Sequence, residues 1–169
     1  GKGVSVCWSL TEGLQALKNI MIEKKFGQAG NKLVIEERLF GQEASVICFT
    51  DGQTVLPLLP AQDYKQILDG DKGPNTGGMG SYVPIPFVDK KLMEQIVKQI
   101  LIPAVLGMKK IGCPYKGALY AGLILTSDGP KVLEFNCRFG DPETQPQLIL
   151  LKSDLINLIL ACLKGELKD

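Results

Sequence analysis

Two pairs of β-forming segments, each joined by an Asp-Gly turn, limit the folds open to this chain more than any other feature. They lie at residues 43–50 and 53–58, and at residues 116–126 and 131–136. Asp-Gly between apolar segments is typical of a hairpin, so each pair predicts two antiparallel strands. Stretches with helical periodicity come before, between and after the pairs. Helices that alternate with antiparallel hairpins predict an α+β fold rather than a doubly wound parallel sheet.

Three stretches show helical periodicity, at residues 9–25, 89–110 and 144–164. Ser9 and Glu12 form a capping box at the start of the first, and its apolar positions predict one buried stripe. That stripe consists of Leu14, Leu17, Ile20 and Met21. Pro103 should kink or divide the second helix, and Ser153-Asp154 offers an internal start within the third.

The remainder comprises two further β-leaning segments and one long loop. The segments are residues 4–8 and 32–39, and the loop covers residues 60–87. The loop is rich in Gly and Pro and has no sustained periodicity. Loops of this length in compact domains are usually functional or mobile.

The composition excludes several kinds of chemistry. Hydrophobic residues make up 45% of the 169 residues and charged residues 22%, as is usual for globular proteins. The formal net charge of +1 gives no general attraction for nucleic acid or anionic membranes, so we expect neither as a partner. The chain has no histidine, which excludes a Ser-His-Asp or Cys-His catalytic group and zinc held by imidazole.

The five cysteines are widely spaced and form no CxxC pair, which favours free thiols in a reducing cytoplasm. No signal peptide opens the chain, and its apolar stretches are too short or too interrupted to span a bilayer. The chain begins Gly1-Lys2-Gly3 without an initiator Met. We therefore expect a cytoplasmic protein and a piece of a longer polypeptide.

Glu134 and Asn136 are candidate metal ligands. In a strand they point to one face, while Leu133 and Phe135 point to the other and should enter the core. The Cα atoms of Glu134 and Asn136 would lie ~6.5–7 Å apart, so a carboxylate and an amide oxygen can converge on a hard cation such as Mg²⁺. On spacing alone an ordinary half-exposed strand is the simpler explanation. Arg138, one of only two arginines, favours the site.

A segment made of residues 63–66 and the glycine-rich residues 69–81 is a candidate anion-binding loop. Its backbone amides can approach a phosphate closely, and Lys65 or Lys72 can add positive charge. The segment is not a Walker A sequence, and glycine-rich loops are most often simple turns.

A third candidate is the apolar segment that ends at Glu36 and Glu37. Its extended edge can contact a base, and a nearby carboxylate can accept ribose hydroxyls. Acidic residues before a hairpin explain the same pattern more simply. Lys2 between glycines can contact a phosphate, although a lysine at a chain start is normally just solvated.

Five motifs together resemble those of phosphoribosylamine-glycine ligases, a family also called glycinamide ribonucleotide synthetases. They are Val34-Ile-Glu-Glu37, Pro60-Ala-Gln-Asp63, Gly73-Pro-Asn-Thr-Gly-Gly-Met-Gly80, Leu119-Tyr-Ala-Gly122 and Leu133-Glu-Phe-Asn-Cys-Arg-Phe-Gly-Asp-Pro-Glu143. They run over nearly the whole chain in the order and spacing of the family.

The resemblance implies an ATP-grasp fold, with residues 1–33 as a partial lid lobe and residues 34–169 as a catalytic lobe built on antiparallel sheet with flanking helices. It implies ATP and Mg²⁺, or Mn²⁺ in its place, as cofactors, and glycine and 5-phosphoribosylamine as substrates. The implied reaction passes through glycyl phosphate to glycinamide ribonucleotide, in a free-standing enzyme or a longer multifunctional purine-synthesis chain. Such phosphoryl and acyl transfer relies on positioning and charge stabilisation, for which histidine is not required.

The resemblance also implies roles for individual residues. Glu134 and Asn136 match metal ligands. The catalytic positions implied are Arg138, Lys65 and Asp141. The positions that match ATP-binding residues are Lys2, Glu36, Glu37 and Glu43. The implied substrate loop consists of Asp63, Asn75, Thr76, Gly77, Gly78, Met79 and Gly80.

Two departures from the family pattern bear on activity. Where the family usually has Asp-His-Lys-Arg, this chain has Asp63-Tyr64-Lys65-Gln66, and Pro146 stands where an apolar helix start is expected. Loss of a charge-assisted contact from an arginine typically costs ~1.5–3 kcal/mol. Two alternatives therefore stay open: a related ATP-grasp carboxylate-amine ligase with another acid or amine, and a truncated or diverged nucleotide-binding module without complete activity.

Overall fold

The computed structural model describes residues 3–70 and 72–168. These residues divide into two compact units, one ending at Phe40 and the other beginning at Gly41. The assignment of residues 1–33 and 34–169 to two functional lobes stays a prediction.

The described residues contain five α-helices and eight strands. The helices are α1 (Leu10–Leu17), α2 (Lys90–Ile96), α3 (Ile102–Lys110), α4 (Thr144–Ile149) and α5 (Leu155–Lys164). The strands are β1 (Gln42–Thr50), β2 (Val55–Pro57), β3 (Gln62–Asp63), β4 (Gln66–Leu68), β5 (Lys72–Asn75), β6 (Ser81–Tyr82), β7 (Gly117–Thr126) and β8 (Gly129–Asn136). No helix in the described part of the chain has both the length and the apolar character needed to cross a membrane.

The first unit begins with a capped helix. Ser9 Oγ accepts a hydrogen bond from Glu12 N at 3.2 Å, while the Glu12 carboxylate accepts one from Trp8 N at 2.7 Å. The predicted cap is therefore present, with its return bond shifted by one residue. The guanidinium carbon of Arg38 lies 3.3 Å from the Trp8 ring centroid, which is a cation–π contact.

Two sequence predictions for this unit are wrong. Residues 4–8 and 32–39 form no strand, and no strand of the described residues pairs with them. A β-forming segment needs a neighbour for its ladder hydrogen bonds, and Val34 and Ile35 stay 81% and 80% exposed. The stripe predicted in the first helix is not buried either. No residue is buried in α1 or in the π-helical turn (Lys18–Ile22) that holds Ile20 and Met21.

The second unit is built on a four-stranded antiparallel sheet in the order β2-β1-β7-β8. Both predicted hairpins are present, because β1 pairs with β2 and β7 pairs with β8. The long pairing of β1 with β7 joins the two hairpins. In the first hairpin the loop is longer than a two-residue turn, and the Asp51 carboxylate stabilises it by accepting hydrogen bonds from Gln53 N and Thr54 N at 3.0 and 2.8 Å.

Apolar residues cover both faces of this sheet. On one face Val46 and Ala121 pack with Ile96 and Leu101, which lie in α2 and in the π-helical turn (Val97–Leu101) that follows it. On the other face Ile47, Phe49 and Tyr120 pack with Cys162 of α5. Burying an aliphatic or aromatic side chain of this size contributes about 1.5–3 kcal/mol, so these two layers hold the sheet in place.

The helix boundaries follow the sequence signals. Pro103 lies in the first turn of α3, directly after the π-helical turn, and so divides the predicted helix at residues 89–110. Asp154 caps α5 by accepting a hydrogen bond from Asn157 N at 2.9 Å. This confirms the internal start predicted in the last helical stretch.

Two predictions for the second unit are wrong. Residues 60–87, predicted as one long loop, contain four short strands. β3 pairs with β6, and β4 pairs with β5. Segments of two to four residues are too short to show periodicity in sequence. Leu133 and Phe135 are 43% and 44% exposed rather than buried. They lie on β8, which is an outer strand of the sheet and has a strand neighbour on one side.

Candidate active site

One face of the central sheet gathers several predicted site residues. Residues directly opposite each other in antiparallel strands share a face. Ser45 of β1 and Glu134 of β8 both lie opposite Gly122 of β7, and Asn136 lies opposite Tyr120. Glu43, two residues before Ser45, points the same way because side chains alternate along a strand. The register therefore brings carboxylate, amide and hydroxyl groups onto one surface.

The predicted metal ligands are in contact on this face. Asn136 Nδ2 donates a hydrogen bond to Glu134 Oε1 at 3.1 Å. Gly122 leaves room for the carboxylate, since a Cβ atom there would lie 3.2 Å from Glu134 Cγ. A carboxylate and an amide oxygen are suitable donors for Mg²⁺ or Mn²⁺. Their role as metal ligands stays a prediction.

A cation held by this pair would need other ligands as well. Within residues 3–70 and 72–168, no group of three or more His, Cys, Asp or Glu side chains is placed to hold a metal ion. Mg²⁺ commonly takes one or two protein ligands and fills its octahedron with water and substrate phosphates. The donor pair therefore fits a cation that arrives with a nucleotide better than a permanently enclosed one.

Lys65 joins two carboxylates beside this face. Its Nζ lies 2.6 Å from Glu43 Oε2 and 3.5 Å from Asp63 Oδ1. Burial lowers the pKa of Lys65, but the hydrogen bond and charge of Glu43, with the charge of Asp63, outweigh burial and raise that pKa above 10.5. Burial raises the pKa of Asp63 above 3.8, although Lys65 opposes this. Lys65 is therefore a fixed positive charge.

Three buried polar groups meet behind this cluster. Glu143 Oε1 accepts hydrogen bonds from Ser45 Oγ and from the Tyr120 hydroxyl, each at 2.8 Å. The two hydroxyl oxygens are themselves 2.8 Å apart. Sequence reasoning gave none of these three residues a role. Alternation from Glu43 along β1 was the available signal for Ser45, whereas the contact with Glu143 joins residues far apart in sequence.

The glycine-rich loop is tied to the segment that carries Lys65. Met79 N donates to Tyr64 O at 2.7 Å, and Tyr64 N donates to Gly80 O at 2.9 Å. Thr76 donates to Lys65 O through both its backbone N, at 2.6 Å, and its hydroxyl, at 2.8 Å. The loop and the ion-pair cluster are therefore parts of one hydrogen-bonded unit.

A second contact holds the glycine-rich loop against the segment after β8. Ser81 Oγ donates to Pro142 O at 2.7 Å. Gly78 has a φ of +125°, and a Cβ atom there would lie 2.5 Å from Pro142 Cδ. Glycine is required at this position both by its backbone conformation and by the close approach of the proline ring. By contrast, among the described residues no atom beyond its own chain neighbours lies within 4 Å of the Cβ position of Gly77.

Arg138 and Asp141 lie exposed in the segment that follows β8. The guanidinium carbon of Arg138 is 5.9 Å from the Tyr120 ring centroid, and its Nη1 donates to Phe139 O at 2.8 Å. Asp141 Oδ1 accepts a hydrogen bond from Gln145 Nε2 at 2.6 Å. Arg138 thus lies beside Tyr120 of the polar face, and the backbone oxygen of Asp141 lies 3.4 Å from the Cβ position of Gly78 in the glycine-rich loop.

Four other predicted site residues lie in the first unit or outside the part of the chain, or the side chains, that the structure describes. Glu36 and Glu37 are exposed in the first unit, and Lys2 lies outside the described residues. The side chain of Asn75 is also outside the described part of the chain, although its backbone pairs with Gln66. The roles of these four residues stay predictions.

Two of the residues that depart from the family pattern, Tyr64 and Gln66, occupy distinct environments. The Tyr64 ring stacks on Tyr82, with centroids 6.0 Å apart and an interplanar angle of 22°. Gln66 Oε1 is buried and has no hydrogen-bond partner among the described residues. A buried unpaired acceptor is destabilising, so this amide oxygen lowers the stability of the segment that carries it.

Comparison with known proteins identifies the family to which the chain belongs. Residues 1–144 match the model of the phosphoribosylglycinamide synthetase ATP-grasp (A) domain. The chain belongs to this family. This ATP-grasp domain is 53% identical over 169 residues to a phosphoribosylamine–glycine ligase of Rhodopirellula baltica, covering 100% of the chain and 39% of that relative. It is 58% identical over 167 residues to the trifunctional purine biosynthetic protein adenosine-3 of Bos taurus, covering 99% of the chain and 16% of that relative.

A solved structure agrees with this assignment. The crystal structure of phosphoribosylamine–glycine ligase from Thermotoga maritima matches the domain with a TM-score of 0.77 at 35% identity. The match covers 98% of the chain and 42% of that structure. The α+β class, the ATP-grasp fold and the family resemblance are thereby confirmed. The chain spans well under half the length of these relatives.

Proposed function

We propose that this chain is the ATP-grasp part of an ATP-dependent ligase that joins glycine to 5-phosphoribosylamine in purine biosynthesis. The observation that supports this most strongly is the 53% identity, over the whole chain, to a relative named phosphoribosylamine–glycine ligase. The polar sheet face and the glycine-rich loop supply the kinds of groups that such a reaction uses.

The proposed reaction has two steps. A carboxylate oxygen of glycine attacks the γ-phosphorus of ATP, and ADP leaves with the electrons of the broken P–O bond. The amine of 5-phosphoribosylamine then attacks the carbonyl of glycyl phosphate, loses a proton, and expels phosphate to give glycinamide ribonucleotide. Negative charge moves in both steps, so fixed cations and oriented amides are the main catalytic requirement.

The residues of the second unit fit these requirements. Lys65 is held as a cation by Glu43 and Asp63, and Arg138 offers an exposed guanidinium beside the same face. We assign both to stabilising the transferred phosphoryl group and the leaving phosphate. Asp141 is an exposed carboxylate, and we assign it to accept the proton that the attacking amine loses.

The substrate loop supplies uncharged contacts. The backbone amides of Thr76, Gly78 and Met79 already donate hydrogen bonds within the protein. We therefore assign phosphate contact to the amides of Gly77 and Gly80, because glycine lets the chain approach an anion closely. We assign Asp63 to the side of the substrate site next to this loop. The residues that we assign to this loop are Asn75, Thr76, Gly77, Gly78, Met79 and Gly80.

We propose that Glu134 and Asn136 hold Mg²⁺, or Mn²⁺ in its place, together with ATP. When bound, the ion supplies positive charge that offsets the charge of the phosphates. The residues that we assign to the nucleotide itself are Lys2, Glu36, Glu37 and Glu43. The Glu43 carboxylate already accepts a hydrogen bond from Lys65, so a ribose hydroxyl would share it with that ammonium group.

ADP release by the native polypeptide that carries this chain tests the reaction. We expect release only when glycine and 5-phosphoribosylamine are both present. Release with another carboxylic acid would instead favour a related ATP-grasp ligase. Binding of Mg-ATP without turnover on any acid would favour the diverged module, for which Tyr64 and Gln66 are the evidence.

A calorimetric titration tests the metal ligands separately from turnover. Glu134→Ala should weaken Mn²⁺ binding in the presence of a nonhydrolysable ATP analogue by about tenfold or more, since loss of even an outer-shell partner typically costs 10–100-fold. Glu94→Ala is the matched control, because Glu94 is an exposed glutamate of α2 that pairs with Lys90 at 4.0 Å. Equal heats from wild type and Glu134→Ala would contradict the assignment.

We also propose a cytoplasmic location, in a free-standing enzyme or a longer multifunctional chain. All five cysteines are free, which supports a reducing compartment. The bovine relative is named trifunctional, and the matched part is 16% of it. Fractionation of cells that express the tagged native polypeptide would test the compartment.

A further inference from the structure

The triangle formed by Ser45, Tyr120 and Glu143 lies almost entirely out of solvent. Their exposed fractions are 2%, 5% and 2%. A carboxylate is costly to bury unless it is hydrogen-bonded. Here one oxygen of Glu143 accepts hydrogen bonds from both hydroxyl groups. An apolar side chain would fill this space without that cost, so the presence of a carboxylate calls for an explanation beyond packing.

The triangle joins three parts of the second unit. Ser45 belongs to β1 and Tyr120 to β7. Glu143 directly follows the segment 138–142 and directly precedes α4. Gly140 in that segment allows the carboxylate to approach, because a Cβ atom there would lie 2.7 Å from Glu143 Oε2 and 3.1 Å from Tyr120 Cε2. The hydrogen bonds of Glu143 therefore hold the end of this segment against the sheet.

Two contacts extend from this attachment to groups with proposed roles. The Tyr120 ring that donates to Glu143 lies 5.9 Å from the guanidinium carbon of Arg138. Pro142, the neighbour of Glu143, accepts a hydrogen bond from Ser81 and leaves no space for a side chain at Gly78. Displacing Glu143 would therefore displace both Arg138 and the glycine-rich loop relative to the sheet.

We propose that Glu143 is a positioning residue, which fixes residues 138–142 on the sheet through Ser45 and Tyr120 and so places Arg138 and the glycine-rich loop for reaction with the acceptor substrates. This inference rests on the proposed function. A residue that only stabilises the fold would not distinguish acceptor substrates from nucleotide. This arrangement acts on the acceptor side, because Tyr120 lies beside Arg138 and Pro142 contacts the glycine-rich loop.

Tyr120→Phe is the most informative variant, because it removes one donor to Glu143 and keeps the ring beside Arg138. In the native polypeptide we expect kcat/KM for glycine to fall about tenfold, as for loss of a hydrogen bond to a charged group, while Kd for Mg-ATP changes less than about twofold. Glu143→Ala should lower kcat/KM further. Glu143→Gln should lower it less than Glu143→Ala does, because the glutamine amide oxygen can accept hydrogen bonds from both hydroxyl groups. Thr126→Val is the control. It deletes the two hydrogen bonds of a hydroxyl at the far end of the same strand, one donated to Gly129 O and one accepted from Asp128 N.

Amide hydrogen exchange gives a readout that needs no turnover. In Tyr120→Phe the amides of residues 138–141 and 76–81 should exchange about tenfold faster than in Thr126→Val, because their attachment to the sheet is weakened. Wild-type kinetics with unchanged exchange in folded Tyr120→Phe would overturn the proposal. A fall in Tm with unchanged kcat, KM and local exchange would do the same.

The experiment separates this proposal from the proposed function. If wild type releases no ADP with glycine and 5-phosphoribosylamine, the reaction is wrong, and exchange at residues 138–141 and 76–81 alone decides whether Glu143 positions these segments. If wild type is active and Tyr120→Phe is indistinguishable from it in both readouts, the reaction stands and the positioning role fails. Should Glu143→Ala not fold, Tyr120→Phe and Glu143→Gln carry the test.

Discussion

Replacing Lys65 with Met should destabilise the protein more at pH 7 than near pH 4. Lys65 Nζ is the positive charge closest to two carboxylates, at 2.6 Å from Glu43 and 3.5 Å from Asp63. Methionine keeps most of the length and apolar character of the side chain and removes the charge. The variant therefore leaves both carboxylates without this partner and changes packing little.

The two ion pairs contribute different amounts. The Glu43 side chain is 47% exposed, and an exposed pair is typically worth about 0.2–1 kcal/mol. The Asp63 side chain is 7% exposed, and breaking a fully buried pair typically costs about 3–5 kcal/mol. Lys65 is itself 34% exposed, so solvent screens part of this interaction. We expect a total loss of about 1–3 kcal/mol at pH 7.

The pH dependence follows from Asp63. Burial raises its pKa above 3.8 in the folded protein, and Lys65 limits that rise. Because the pKa of Asp63 is raised in the folded protein, its ionisation lowers the free energy of unfolding as pH increases from 3.8 through that raised pKa. Removal of Lys65 makes this loss larger. As pH falls below the raised folded value, Asp63 becomes protonated in the folded protein and no longer carries a charge that Lys65 offsets. The difference between Lys65→Met and wild type should therefore shrink to the small contribution of Glu43.

Urea unfolding followed by circular dichroism at pH 7 and pH 4 measures this difference. Lys90→Met is the matched control, because Lys90 is 93% exposed and pairs with Glu94 at 4.0 Å, and it should change stability by less than about 0.5 kcal/mol. The double variant Asp63→Asn, Lys65→Met should regain much of the stability lost at pH 7. An equal loss at both pH values, or no recovery in the double variant, would refute the reasoning.

Three further predictions concern the core, the first hairpin and the glycine-rich loop. Leu101→Ala should lower the free energy of unfolding by about 2–5 kcal/mol, because Leu101 is fully buried, whereas Leu106→Ala in α3, at 45% exposure, should lower it much less; urea titration compares them. Burial raises the pKa of Asp51, but hydrogen bonds from backbone amides outweigh burial and lower it below 3.8. A lowered pKa adds stability above pH 3.8 that is lost as pH falls through the folded value, so the deficit of Asp51→Asn at pH 7 should shrink in acid melts. Gly78→Ala should cost about 1–3 kcal/mol through its positive φ and its collision with Pro142, and a thermal melt with no change in Tm would count against this contact.

Local signals in the sequence were sufficient for the elements that local interactions determine. The Asp-Gly hairpins, the Ser9 and Asp154 caps and the division of a helix at Pro103 all depend on residues within a few positions of one another. The α+β class follows from the alternation of these elements. The pairing of Glu134 with Asn136 on one face follows from the alternation of side chains along a strand.

Features that depend on distant parts of the chain were not predictable in the same way. Alternation shows that Phe135 points away from Glu134, but not whether another element covers it, and it is 44% exposed on an outer strand. The hydrogen bond between Ser45 and Glu143 joins residues 98 positions apart, and a single sequence gives no sign of such a contact. The same limit applies to residues 32–39, where β-forming composition was present and no described strand pairs with it.

The position of the proposed metal ligands at the rim of the sheet has a consequence for cation exchange. Glu134 is exposed and Asn136 is half-buried, and their strand has a single neighbour. An ion can reach this pair, or be stripped from it by a chelator, without parting β1 from β7 or lifting any helix off the layers beneath. Demetallation and denaturation should thus be independent events here, unlike in small domains whose folding is completed by their metal.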